Sequence, residues 1–377
     1  MATTGFPRCS DGDVKIHLSS DPKDTFVLHS FQLSLHSSWF KASMSERWNG
    51  GDFTNTSVFG GRDGEKEHWE YELRFEKGTG DGMLMRKRAS TDMEMMVGQD
   101  ELIDMRVECL TAYKHLLGAV YHVKPRLPHG SFEKAKSSIL QLASVAAIYD
   151  CGNIIEPHID NHLSAHWRDQ ALSMCAEDPV SMLSFATSIK SEWIFMEAAT
   201  NLVGTSSAIF DAAQAELQKL HVADLFNKKR AEFVETLRKC EYDMFCMQSE
   251  FRGEPFAHEA TDFFCQYLRD SLGMQGLGSR LAHPEYARLY KTINASAIDN
   301  GNSYSRDLMH YIAVLGIDPV PITDVVMSRF AYVLQRARVI LQPILKDASR
   351  RRNAQQSQDH GLLFMTVADE ELPWVNK

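Results

Sequence analysis

The chain has 377 residues, and its 40 lysines and arginines against 50 aspartates and glutamates give a formal net charge of −10 at pH 7. Apolar residues make up 44% and charged residues 24%, which excludes a chain dominated by disorder, and the length predicts one large domain or two or three packed units. The negative balance argues against nucleic acid as a partner, because phosphate binding needs clustered lysine and arginine.

The cysteines and the N-terminus favour a reducing compartment. The 7 cysteines include no Cys-x-x-Cys pair, so we expect the protein in the cytoplasm and/or the nucleus. No basic start followed by an apolar run opens the chain, so we expect no signal peptide. The longest stretch without Asp, Glu, Lys or Arg, Thr25 to Phe40, contains several serines and histidines, so we expect no membrane span and no membrane partner.

The first third of the chain has strand and short-helix patterns. Alternation over Asp13 to Leu18 and an extended apolar pattern over Phe26 to Leu28 predict a β-hairpin. After His29, apolar residues at mixed spacings of three and four predict two short helices. The serines Ser37-Ser38 predict a corner between these helices.

A long glycine-rich segment follows. Residues 49–66 have little periodicity, which predicts a loop. Trp69 to Phe75 alternate strictly between apolar and charged residues, which predicts a strand with one buried face. A second strand is predicted at Met83 to Met85, and residues 86–99 receive no assignment.

From about Leu102 onward, apolar residues recur at helical spacing. Asp178-Pro179 predicts a helix N-cap followed by proline at the first helical position. The apolar run Leu362 to Val367 predicts a terminal strand. The predicted helices cover about 110–121, 132–149, a segment after Gly152, 179–189, 194–202, 208–221, 226–250, 256–272, 284–294, 303–315 and 322–345.

One ordered set of residues runs through the first third and continues in the first long helix. Tyr113, Leu116-Leu117 and Val120-Tyr121 form its later part. Its opening part consists of Asp13, Val14, Phe26, His29, Leu33, Ser37, Trp39 and Phe40. This set resembles the signature of a BTB/POZ domain, which opens with an aspartate-led strand, a strand ending in histidine, a short helix and a Ser-x-aromatic-Phe corner.

The resemblance implies a domain organisation and an α+β fold class. The long insert and the Leu372-Pro373-Trp374 ending are similar to the fungal branch of BTB proteins. We therefore predict a BTB/POZ-like domain with a small sheet and helices, followed by an all-helical, BACK-like extension. The predicted segments are a tail at 1–9, the BTB/POZ-like domain at 10–165 with its insert at about 49–100, the extension at 166–345 and a tail at 346–377.

The resemblance also implies roles for individual residues. Asp13 and His29 are predicted to form a hydrogen-bonded pair under the first helix, with Phe26, Leu33 and Phe40 as apolar anchors. All of these roles are structural. A departure from the family pattern lies directly after the histidine, where a serine stands in place of the usual lysine or arginine. This departure argues against a corepressor-type pocket.

The function that the resemblance implies is a non-enzymatic adaptor or scaffold that binds other proteins and can associate with itself. A substrate adaptor of a cullin-type ubiquitin ligase is the alternative. Many cullin-binding members carry an apolar-x-Glu triplet, and Met44-Ser45-Glu46 fits that pattern several residues early. The predicted partner surface consists of Met44, Glu46, Trp48, Tyr113 and Tyr121.

A histidine-rich segment is the strongest candidate for metal chemistry. His158, His162 and His166 recur every fourth residue, but the outer two lie about 12 Å apart along a helix axis, so one ion cannot take all three. We interpret the segment as a polar helix face and predict no metal and no cofactor. The second alternative is a metal-binding enzyme using His158 and His162, with Asp160 or a ligand from elsewhere.

No hydrolase, kinase or phosphate-loop motif is present in the sequence. We therefore predict no catalytic residues and no small-molecule substrate.

Overall fold

The structure is a computed structural model that describes residues 9–45, 69–75, 82–86, 101–247, 255–272, 286–318, 322–346 and 362–375. The chain forms two compact units, one of residues 1–168 with 188–191 and one of residues 169–187 with 192–377. Helices predominate, and a four-stranded mixed sheet lies near the N-terminus. The predicted α+β class is confirmed at this level.

The sheet of the first unit has the strand order β2-β1-β3-β4. Strand β1 is antiparallel to β2 and parallel to β3, so Ile16 lies between Phe26 and Tyr71 in the register. Val14 and Ile16 are buried, as the predicted alternation requires. The predicted strands are confirmed as β1 (Val14–His17), β2 (Thr25–Leu28), β3 (Trp69–Phe75) and β4 (Gly82–Arg86).

The described part of the first unit also contains two short and three long α-helices, and a 3-10 turn at Pro22–Asp24. The Ser37 side chain accepts a hydrogen bond from the Phe40 backbone N–H, which starts the second helix at the predicted serine corner. Ser131 caps the fourth helix in the same way through the Lys134 N–H. The helices are α1 (Ser30–His36), α2 (Ser38–Ser43), α3 (Glu101–Val120), α4 (Phe132–Ile148) and α5 (Gly152–His166).

Tyr149, directly after α4, joins several elements of the first unit. Its buried hydroxyl accepts a hydrogen bond from the Leu84 backbone N–H at 2.7 Å and lies 2.9 Å from the Tyr113 hydroxyl. Tyr113 in turn donates to the Gly82 carbonyl at 2.7 Å. Since Tyr113 uses its one proton there, Tyr149 donates to the Tyr113 oxygen. The two rings thus tie β4 to α3 and to the end of α4.

The later helices belong mostly to the second unit. The Asp178 carboxylate accepts a hydrogen bond from the Ser181 N–H at 3.1 Å, so the predicted N-cap is confirmed. The region predicted as one helix over 208–221 is two short helices. The helices are α6 (Arg168–Glu177), α7 (Pro179–Ile189), α8 (Glu192–Val203), α9 (Ser207–Ala212), α10 (Gln214–Lys219), α11 (Ala223–Cys246), α12 (Ala257–Leu272), α13 (Tyr286–Ile298), α14 (Ser305–Val314) and α15 (Thr323–Leu345).

The C-terminal segment of the second unit packs through its side chains. Residues 362–368 form no strand, so that prediction is wrong. Leu362 and Val367 are buried, and the Phe364 ring stacks on Phe233 with centroids 5.1 Å apart. The described part of the second unit offers no strand for pairing, and the apolar run is buried against helices instead.

Among the described helices, none combines the length and the apolar content that a membrane crossing requires.

Replacing Tyr149 with phenylalanine tests the hydroxyl network of the first unit. The change leaves the buried Leu84 N–H without an acceptor and removes the proton that the Tyr113 oxygen accepts, so we expect a loss of about 2 kcal/mol in the free energy of unfolding. Urea denaturation measures this loss. Tyr242→Phe, at an exposed ring, is the control and is expected to stay within about 0.5 kcal/mol of the wild type. Equal effects of the two changes would contradict the role given to Tyr149.

Candidate functional site

Asp13 fixes the start of α1. Its carboxylate accepts hydrogen bonds from the Ser30 backbone N–H at 2.6 Å and from the Ser30 hydroxyl at 2.5 Å. The positive end of the helix dipole also stabilises a carboxylate at this position. The predicted pair of Asp13 and His29 is wrong, because Asp13 accepts from Ser30 while the His29 ring nitrogens lie beside Tyr121 and Asp11.

His29 has partners of its own. Its backbone N–H donates to the Tyr121 hydroxyl at 2.7 Å. Its ring Nδ1 lies 3.2 Å from the same hydroxyl, and its Nε2 lies 3.3 Å from the Asp11 carboxylate. Burial raises the pKa of Tyr121 to about 12, although the His29 N–H acts in the opposite direction. His29 and Tyr121 therefore connect the end of β2 to the end of α3.

The remaining signature residues serve the core of the first unit. Ser37 donates its hydroxyl proton to the Tyr149 carbonyl, and the Trp39 ring meets the Tyr149 ring edge-on at 4.9 Å. The Phe40 ring stacks on the same tyrosine at 5.5 Å. The buried apolar members are Val14, Phe26, Leu33 and Phe40.

The residues predicted to form a partner surface differ in their exposure to solvent. Tyr113 has no solvent exposure, so its assignment to a partner surface is wrong. The reason is that Tyr113 lies on the same buried face of α3 as Leu116 and Leu117. Tyr121 and Met44 are half-buried. Glu46 and Trp48 lie outside the described residues.

The outer face of α1 exposes two large apolar side chains that the motifs did not single out. Phe31 is 71% exposed and Leu35 is 62% exposed. They are four residues apart and so occupy one face of the helix. The sequence did carry a signal for this face, because Thr25 to Phe40 contains no Asp, Glu, Lys or Arg.

A second feature of the first unit is a cleft of about 1530 Å³, lined from the turn at residues 21–24, β2, α3, α5 and the segment between α3 and α4. Its charged lining residues are Asp21, Lys23, Asp24, Lys114, Lys124 and Arg126. Five histidines also line this histidine cleft: His115, His129, His158, His162 and His166.

Three of these histidines form a cluster, and it is not the pair that the spacing favoured. One ring nitrogen from each of His129, His162 and His166 lies within 4.8 Å of the others. The spacing instead pairs His162 with His158, which lies one turn earlier on α5. The pKa of His158 is lowered mainly by burial and further by the charges of Lys124 and His122, not by the cluster. His129 comes from the segment before α4, which no spacing rule connects to α5.

Hydrogen bonds hold the central ring of the cluster. His162 Nε2 accepts a hydrogen bond from the Trp167 indole N–H at 3.2 Å, and the ring is also hydrogen-bonded to the Pro128 carbonyl. Burial lowers the pKa of His162, and His129 and His166 lower it further, while the Pro128 carbonyl acts in the opposite direction. The neutral form of His162 is therefore favoured near pH 7.

Comparison with protein-family models, with curated proteins and with solved structures found no match to this chain.

An ion pair at the wall of the cleft makes stability depend on pH. Burial alone would raise the pKa of Asp24, but hydrogen bonds from Lys114 and Ser19 and the charges of Lys114 and Lys23 lower it below 3.8. The Lys114 Nζ lies 2.6 Å from the Asp24 carboxylate. A carboxylate with a lowered pKa stabilises the fold above its unfolded-state pKa, and this contribution is lost as the pH falls through the folded-state value.

We therefore expect Asp24→Asn to destabilise the protein by about 1 kcal/mol, a difference that stays constant from pH 7 to about pH 5 and shrinks at lower pH. Urea denaturation at a series of pH values measures it. Asp211→Asn, at an exposed aspartate, is the control. A difference between wild type and Asp24→Asn that grows as the pH falls would contradict this assignment.

Proposed function

We propose that the protein is a non-enzymatic adaptor or scaffold whose first unit is a BTB/POZ-type module that pairs with a second copy of itself. Two findings support a module of this type. The hairpin, the two short helices and the serine corner lie in the order that the resemblance implies. The signature residues serve the core and leave the outer face of α1 free for contact with a partner.

The observation that carries the proposal is the outer face of α1. Phe31 and Leu35 place two large apolar side chains in water on adjacent turns of one short helix. Covering such side chains contributes about 1.5 to 3 kcal/mol each when burial is complete. What distinguishes this face from other exposed apolar side chains is that the two lie side by side on one uncharged helix face, which suits a contact surface.

The charge pattern favours a second copy of the chain as the occupant of this face. A protein with a net charge of −10 repels its own copies. Helix α1 and the strand before it contain no Asp, Glu, Lys or Arg, so two copies can meet there without opposing like charges. A two-fold pair uses the same patch on both chains, and a single self-complementary face is sufficient.

A cullin-adaptor role gains no support of its own from the described residues. Its predicted triplet ends at Glu46, and Glu46 and Trp48 lie outside them. Self-association is therefore the form of the adaptor proposal that can be tested on described side chains.

The test introduces charge on the outer face of α1. Phe31→Asp with Leu35→Asp sets four carboxylates against one another in a symmetric pair, so we expect the double variant to be monomeric. The wild type is expected to have twice the chain mass of 42.7 kDa. Light scattering coupled to gel filtration measures both masses, and circular dichroism checks that the variant is folded.

A matched double variant in the second unit serves as control. Val325 and Val339 are exposed apolar residues of α15, and Val325→Asp with Val339→Asp is expected to leave the mass of the wild-type pair unchanged. A monomeric wild type would overturn the proposal. So would a folded α1 variant that still pairs.

A further inference from the structure

The histidine cluster of the first unit joins two parts of the chain. His162 and His166 lie one turn apart on α5, and His129 belongs to the segment between α3 and α4. The ring centroids are 5.0 Å apart for His129 and His162, 4.6 Å for His129 and His166, and 5.1 Å for His162 and His166. Their nitrogens lie within 4.8 Å of one another.

We propose that His129, His162 and His166 bind one divalent transition-metal ion, with Zn²⁺ as the reference ion. Imidazole is a preferred ligand of Zn²⁺, Cu²⁺ and Ni²⁺. Three histidines with an open fourth position form a known type of zinc coordination. This site goes beyond the proposed adaptor function and implies no reaction.

The spacing of the nitrogens suits an ion after a small movement. In a tetrahedral zinc site with bonds of about 2.0 Å, neighbouring ligand nitrogens are about 3.3 Å apart. The three imidazoles must therefore approach one another by at most about 1.5 Å. His129 and His166 are exposed, so their side chains have room to rotate toward His162 without shifting the core.

The hydrogen bonds of His162 determine which of its nitrogens binds the ion. Nε2 accepts the Trp167 indole N–H, so the nitrogen that donates to the Pro128 carbonyl is Nδ1. A backbone carbonyl on the far nitrogen is the usual outer partner of a metal-binding histidine, because it fixes the tautomer and the ring orientation. The ion therefore takes the Nε2 lone pair and displaces the indole N–H.

The charges around the cluster limit the affinity. Three neutral imidazoles supply no negative charge, so the bound ion keeps both of its positive charges. Four cationic side chains, Lys124 and Arg126 among them, line the same cleft against two carboxylates, Asp21 and Asp24, so the cleft repels a cation more than a site with carboxylate ligands would. We therefore expect a dissociation constant on the order of micromolar, weaker than that of structural zinc sites.

The test is calorimetric titration of the untagged full chain, stripped of metal with a chelator, with zinc chloride. We expect one Zn²⁺ per chain at the cluster. His129→Gln and His166→Gln each remove one ligand and are expected to weaken binding by about tenfold or more. The control is His158→Gln, on the same helix and in the same cleft but outside the cluster, and it is expected to change the affinity by less than about twofold.

Two further measurements locate the ion. Co²⁺ in place of Zn²⁺ is expected to show the visible absorption of tetrahedral cobalt, and this absorption should be lost in His166→Gln. Zn²⁺ that displaces the indole N–H is expected to change the fluorescence of Trp167. The Trp167→Phe variant, which lacks this indole, should therefore not show the change. The proposal is overturned if the wild type binds no Zn²⁺, or if folded His158→Gln loses as much affinity as His166→Gln.

Discussion

The buried tyrosine pair after α4 and on α3 is the interaction around which the first unit is organised. Tyr149 contacts β4 through the Leu84 N–H, α3 through the Tyr113 hydroxyl and α2 through the stacked Phe40 ring. Its carbonyl accepts the Ser37 hydroxyl proton at the corner between α1 and α2. Every hydroxyl in this network has a partner, as burial requires. With the corner fixed, α1 is held with Leu33 in the core and Phe31 and Leu35 in water.

This arrangement separates structural residues from residues available for function. The polar residues of the signature form hydrogen bonds within the unit: Asp13 caps the start of α1, and His29 binds Tyr121. Among the described residues of the first unit, the apolar outer face of α1 is available to a partner and the histidine cleft is available to a ligand. The two features draw on different side chains, so association and metal binding can be tested independently.

Local sequence patterns predicted most helices and strands, but they could not predict contacts between residues that are far apart in the sequence. The strict alternation of Trp69 to Phe75 identified β3, and Asp178-Pro179 identified the start of α7. Spacing on one helix, however, cannot reveal that His129 lies beside His162, since another segment brings it there. Similarly, the motif paired Asp13 with His29, whereas the geometry shows that Asp13 accepts hydrogen bonds from Ser30. Leu362 to Val367 has the composition of a strand and lacks a described strand to pair with.

The central claim, that two copies meet through α1, is tested most directly by hydrogen–deuterium exchange of the full chain over a dilution series from micromolar to nanomolar protein. The account predicts faster amide exchange in peptides covering residues 30–36 on dilution, with unchanged exchange around Tyr149. Exchange in residues 30–36 that does not depend on concentration, while another segment becomes less protected on dilution, would contradict it.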